Sequence, residues 1–256
     1  MLGAGSRIVN YIPIQWQEEM VPVVVPQTMI VFAAHPDDEL ISAGGTILKY
    51  SALGTKVTVV VATQGLGGYA KQEYKEEIAD KRREEFERTI EMLGCDFVEL
   101  NMDEVQVNRE AVAQFTNLIR DRQPQVILMP HYLDVHRAHR HLAEVVREAI
   151  YHTATGSAYG GYGKAFMPLG IYCYESPSCQ FQYIEGNVFV TVDISAQWDQ
   201  KKEVFNVAYA SQQEVIGRVM EWAGRTALLH GNEIQANYGE EFIPLTEYVP
   251  LRLLLV

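Results

Sequence analysis

Two periods of hydrophobicity alternate along this chain. Met29 to Ala34 (MIVFAA) is a short apolar run, too brief for a helix and apolar on both faces. It stops abruptly at the polar string HPDDE, as a buried parallel strand ending in a loop does. A helix is predicted from Glu39 to Leu53, with Gly54 in the place of a C-terminal cap glycine. Lys56 to Thr63 (KVTVVVAT) returns to the strand pattern and runs into the glycine-rich turn QGLGG. From about Glu73 to Leu93, Ile78, Phe86, Ile90 and Leu93 recur at helical spacing among Glu, Lys and Arg, and Gly94 closes the segment.

The alternation continues with a strand at Asp96 to Leu100, a helix at Arg109 to Arg122, a strand at Val126 to Pro130 and a helix at Arg137 to His152. A glycine- and tyrosine-rich stretch, GSAYGGYGKAF, then reads as a substrate-facing loop. Strands are expected near Gly170 to Tyr174 and Asn187 to Val192. One long helix should run from Asp193–Ser195 to about Arg225, and Tyr238 to Val256 alternates like an edge strand. This order predicts an α/β, Rossmann-like fold: a largely parallel sheet with helices on both faces and a smaller C-terminal portion containing strands. Residues 1–28 read as an N-terminal extension and 29–256 as a single domain. Ligands should gather beyond the carboxyl ends of the strands, where HPDDE and a later histidine cluster share one rim.

Charge narrows the partners. Asp and Glu number 33 against 21 Lys and Arg, a net charge of −12, so nothing draws the chain to nucleic acid. No run approaches the ~20 apolar residues of a membrane span, and the opening residues lack a signal-peptide pattern, so a cytoplasmic location is expected. Cys95, Cys173 and Cys179 are too few and too irregular for a disulfide framework or a thiolate metal site, and they read as buried thiols.

Chemistry concentrates in two places. His35 and Asp38 stand three residues apart at the mouth of the first strand, where a turn can aim imidazole and carboxylate at one ion. Nitrogen and oxygen donors suit Zn²⁺, whose catalytic sites keep three protein ligands and leave the fourth position for water. The third ligand would come from HYLDVHRAHRH, which offers His131, His136, His139 and His141, four of the seven histidines. Asp37, adjacent to a ligand and pointing elsewhere, has the placement of a general base. HPDDE alone could equally be a helix cap; the second cluster tips the balance.

AHPDDE after an N-terminal strand, with H-x-x-H about a hundred residues on, resembles the PIG-L/LmbE-like zinc N-deacetylases. The resemblance extends to T-x-G near Thr63, RREEFERTIEMLG at Arg82 to Gly94, VDIS at Val192 and YGEEF at Tyr238. It implies a hydrolase that removes acetyl from an N-acetylglucosamine-type amino sugar or its conjugate, with one Zn²⁺ per chain and a homo-oligomeric assembly. By that resemblance His35, Asp38 and His139 are the metal ligands, Asp37 the base, His136 the oxyanion-stabilising or acid histidine, and Arg82 a substrate contact. His131 and His141 fall on a rim or a helix face. Two positions depart from the family pattern: Ala138 replaces an acidic residue or Asn before the last histidine, and Leu66 replaces an acid after T-x-G. Two other readings compete: an amidase of larger acyl groups or thiol conjugates on the same site, and a metal-bearing sugar binder without turnover.

Overall fold

The computed structural model describes residues 25–65, 78–155, 164–184, 188–209, 213–246 and 255. Seven strands form one sheet in the order β3-β2-β1-β4-β5-β7-β6. The strands are β1 (Thr28–Ala33), β2 (Lys56–Thr63), β3 (Asp96–Met102), β4 (Val126–Pro130), β5 (Gly170–Tyr174), β6 (Val190–Asp193) and β7 (Gly239–Pro244). The first five pair in parallel, whereas β7 runs antiparallel to both β5 and β6. The helices are α1 (Asp38–Ala52), α2 (Ile78–Leu93), α3 (Arg109–Arg122), α4 (Arg137–Ala154), α5 (Trp198–Ala208) and α6 (Gln213–Glu233).

Strand alternation sorts the core into two layers. Met29, Val31 and Ala33 of β1 face α1, α2, α5 and α6, together with Val57, Val59 and Val61 of β2. Ile30, Phe32 and Ala34 face the other way, onto Phe115 and Ile119 of α3 and Leu142 and Val146 of α4. Both faces are covered, which is why these strands are continuously apolar rather than alternating. The strand order reverses between β1 and β4, so their carboxyl ends diverge and leave a crevice at the point where such sheets bind ligands.

Two C-terminal expectations need correction. The expected long helix is two: α5 starts only at Trp198, after Asp193 Oδ1 accepts a hydrogen bond from Ser195 N–H at 2.8 Å, and it ends at Ala208. The buried positions Trp198, Lys201, Phe205 and Ala208 of α5 and Ile216, Met220, Ala223 and Ala227 of α6 fall on one nearly unbroken 3.6-residue period. No Gly or Pro marks the break. Nor is the C-terminal strand an edge: β7 is inserted between β5 and β6, with Glu240 and Glu241 buried, and β6 takes the edge. The N-terminal extension up to residue 24, the QGLGG turn from Leu66 on, residues 73–77 of the second expected helix, most of GSAYGGYGKAF and residues 247–254 lie outside the described residues.

α1 is tied to the C-terminal half by its backbone. Gly44 and Gly45 leave the helix bare; a Cβ at Gly45 would fall 2.7 Å from Ile194. Into this bare stretch the Glu240 carboxylate accepts from Gly45 N–H (2.9 Å) and Thr46 N–H (2.7 Å), and Lys201 Nζ donates to the Ile41 carbonyl (2.8 Å) and to Glu240 (2.7 Å). Lys201 and Glu240 are both buried. The ion pair thus anchors the helix whose first residues carry the HPDD carboxylates.

Candidate metal centre

His35, Asp37 and Asp38 lie between the end of β1 and the first turn of α1, and His136 and His139 lie at the start of α4, past the end of β4. Strand-end placement on adjacent strands brings the two segments together across a hundred residues. His35, His136 and His139 can each offer a ring nitrogen within 4.8 Å of the others. His139 Nε2 stands 3.2 Å from Asp38 Oδ1. Two ligand atoms on a tetrahedral zinc, at bonds of about 2.0–2.1 Å, are separated by roughly 3.3 Å, so this pair has a suitable bite. Asp38 Oδ2 is held by Ala34 N–H (3.0 Å) and His35 N–H (2.8 Å), which fixes Oδ1 toward His139. His136 also borders this volume, so the geometry offers four donors rather than three.

Asp134 orients His139. Its Oδ2 accepts from His139 Nδ1 at 2.9 Å and from Ser176 Oγ at 2.6 Å, and its Oδ1 accepts from His136 N–H at 2.7 Å. A carboxylate on the far nitrogen of a ligating histidine fixes the ring and its tautomer. One carboxylate thus serves both histidines, the ring of His139 and the backbone amide of His136. The signal was present in the spacing D-x-x-x-x-H, which places a carboxylate behind a histidine at a helix start. Ser176, on the turn after β5, has no comparable sequence signal.

The electrostatics follow from burial and crowding. Asp37 is pushed up to about 7, chiefly by burial and then by the Asp38 charge, against the opposing pull of Arg82, His35 and His139. Burial would also raise Asp38, but the charge of His139 and hydrogen bonds from His139 and His35 hold it well below the ordinary carboxylate range. Two adjacent carboxyls are thereby driven apart. His139, despite burial, is raised to about 10 by Asp38 and Asp134. That flanking negative charge is what a divalent cation at Nε2 would meet. His136 is lowered by burial and by the neighbouring imidazoles of His139 and His35, so it favours the neutral ring.

Arg82, on α2, is buried and not the solvated arginine of a charged helix face; Nη2 lies 3.9 Å from Asp37 Oδ2. Gly65 makes room for it: its φ is +63°, and a Cβ there would sit 2.4 Å from Arg82 Nη1. His131 is likewise not a rim residue. It is 1% exposed, stacked on Tyr132, and its Nδ1 accepts from Leu133 N–H. His141 contacts the Val105 carbonyl from α4, clear of the donor cluster. The donors open on a pocket of about 600 Å³ walled by Ile41, Pro177, Ile216 and Val219, with Ser42 and Ser178. A polar cleft of about 480 Å³, lined by Gln64, Asn101, Asp103 and Ala138 among others, adjoins it through His35 and Gly65.

The fold and these donors define a Rossmann-like α/β protein with a carboxylate–histidine cluster at the switch point of its sheet. Residues 30–150 match the family described as PIG-L: GlcNAc-PI de-N-acetylase. It is 28% identical over 221 residues to the diacetylchitobiose deacetylase of Thermococcus kodakarensis, covering 82% of this chain and 80% of that protein. It is 30% identical over 148 residues to 1D-myo-inositol 2-acetamido-2-deoxy-alpha-D-glucopyranoside deacetylase 2 of Catenulispora acidiphila, covering 54% of this chain and 46% of that one. The fold is shared with N,N'-diacetylchitobiose deacetylase from Pyrococcus horikoshii, at a TM-score of 0.73 and 23% identity over 88% of this chain and 87% of that one. It is equally shared with a 4-carboxy-2-hydroxymuconate hydratase from Pseudomonas putida, at a TM-score of 0.73 and 20% identity over 87% and 98% of the two chains.

Proposed function

We propose that this protein is a zinc-dependent N-deacetylase of N-acetylglucosamine-type amino sugars or their conjugates. The observation that carries the reading is the split pair Asp37–Asp38, with one carboxyl turned to the histidine cluster and its neighbour raised to about 7 beside it. His35, Asp38 and His139 would hold the ion, with His136 within reach. Zn²⁺ bound there supplies a Lewis acid that acidifies water and polarises an amide carbonyl. Asp37, beside the ligands and facing the same pocket, takes the proton of the attacking water and returns it to the leaving nitrogen, releasing acetate and a free amine. Arg82, 3.9 Å away, restrains the Asp37 carboxylate and faces the same pocket. His136 donates an imidazole N–H toward the oxygen that becomes negative in the tetrahedral state. The relatives named above as deacetylases of diacetylchitobiose and of an inositol-linked acetamidoglucose support an acetamido sugar as substrate.

The test is release of acetate from N,N'-diacetylchitobiose and from 1D-myo-inositol 2-acetamido-2-deoxy-alpha-D-glucopyranoside, followed by mass spectrometry with and without a chelator. Loss of an acetyl mass, abolished by chelator and restored by Zn²⁺, is expected. No deacetylation of any N-acetylglucosamine conjugate at zinc saturation overturns the reading in favour of the non-catalytic binder, and release of a longer acid indicates the larger-acyl amidase.

A further inference from the structure

Asp37 adopts φ 131° and ψ −29°, a backbone conformation that side chains other than glycine rarely take. Four hydrogen bonds converge on the turn that holds it. The Asp37 carbonyl accepts from Ile41 N–H at 3.0 Å, which starts α1. Asp38 Oδ2 takes the amides of Ala34 and His35, fixing the chain on the other side of Pro36. The Asp37 amide itself donates to Glu39 Oε2 at 3.1 Å. Glu39 is fully buried in the second position of the helix, a place where glutamate is ordinarily solvated, and its Oε1 has no hydrogen-bond partner among the described residues. Burying a carboxyl for a helix cap alone is an expensive choice, because water or an exposed side chain satisfies a first-turn amide at no such cost. The Asp37 amide lies in the peptide plane that precedes Asp37, so a side chain that grips it restrains the rotation φ of that residue.

From this we infer that Glu39 is a positioning residue: by gripping the Asp37 amide it keeps Asp37 at positive φ and so fixes its carboxylate beside His35, Asp38 and Arg82. The inference rests on Asp37 acting as the base. Glutamine at position 39 keeps an acceptor of the same reach; methionine fills the same volume without one.

The test uses the zinc-loaded full chain as wild type, Glu39→Gln and Glu39→Met, with crystal structures, bound zinc per chain, and kinetics on N,N'-diacetylchitobiose. In Glu39→Met the Asp37 φ should turn negative and kcat fall about 10–100-fold, as small misplacements of a reacting group do, with KM and bound zinc unchanged. Glu39→Gln should restore both φ and most of kcat. Asp37→Gly supplies a readout independent of substrate, since glycine takes this φ without strain. It should raise Tm in the wild-type background and raise it less in Glu39→Met, where the strain has relaxed. Positive φ retained in Glu39→Met, or an equal Tm gain in both backgrounds, overturns the inference. Full turnover by Asp37→Asn would instead end the reading of Asp37 as base and leave the backbone result standing.

Discussion

Asp37 and Asp38 are neighbours in sequence with opposite environments, and that difference predicts opposite failures. Asp38 is bonded to two backbone amides and faces His139; Asp37 faces the pocket with its pKa raised to about 7. Asp37→Asn is expected to keep zinc and lose about 10²–10⁴ in kcat, the usual cost of removing a general base. Asp38→Asn is expected to lose metal affinity as well, read by zinc content after dialysis. Retention of zinc by Asp38→Asn with its loss by Asp37→Asn would invert the roles. One atom further out, Asp134→Asn should loosen zinc by about 10–100-fold, since it removes the carboxylate that orients His139. A competitive titration against a chromogenic chelator measures this directly; unchanged affinity would make Asp134 only a link between Ser176 and the His136 amide.

The anchoring of α1 and the packing of α6 are where elements act as units. Lys201 and Glu240 form a buried pair whose partners include the α1 backbone, so removing one member strands the other in the interior. Lys201→Met is expected to destabilise by about 3–5 kcal/mol in urea unfolding, and the double variant with Glu240→Gln by less than the sum of the two single changes. Additive losses would mean the two residues act separately. At the junction of α6 with β7, His230 Nε2 lies 2.8 Å from Glu175, and Nδ1 faces Glu233 and Glu241 at 3.4 and 3.5 Å. Burial opposes the charged ring, but these carboxylates outweigh it and raise its pKa. A raised folded-state pKa means stability that is complete below the unfolded value of about 6.5 and lost as pH climbs through the folded value. The Tm deficit of Glu175→Gln should therefore be larger at pH 6 than at pH 9.5, with about 2 kcal/mol at stake for a hydrogen bond to a charged group. A deficit independent of pH would show that His230 does not change its charge across this range.

At the scale of the molecule, a metal held by the turn after β1, the first residue of α1 and the start of α4 would bind only when the sheet is assembled, and would then stabilise the fold by mass action. At 100 times its dissociation constant the gain is about 2.7 kcal/mol, and Tm should rise with free Zn²⁺ and fall on adding chelator. A Tm indifferent to both would count against a metal site built from the fold. The same scaffold serves deacetylases and a hydratase among its structural relatives, so the fold defines where chemistry happens and the side chains define which.

What the chain's own pattern determined is what depends on local periodicity. Buried parallel strands are continuously apolar, helices repeat at 3.6 residues, and short segments of each in alternation admit little besides a doubly covered sheet; β2, α3, β4 and β5 are read with their observed limits. That His35, Asp38, His136 and His139 would converge was legible because histidines and carboxylates cluster visibly after two strand ends, and the structure brings them together. The tertiary structure alone decided what depends on who lies opposite. The break between α5 and α6 leaves the apolar period in phase, so no local signal marks it. Glu240 and Glu241 look like solvent-facing residues of an edge strand until Lys201, the α1 amides and His230 are brought against them. Arg82 is one of many charges on α2, singled out beforehand only by the family resemblance, and its burial beside Asp37 and Gly65 is a fact of the tertiary structure. Burial and charge pairing are properties of neighbours remote in sequence, and a one-dimensional pattern carries no record of them.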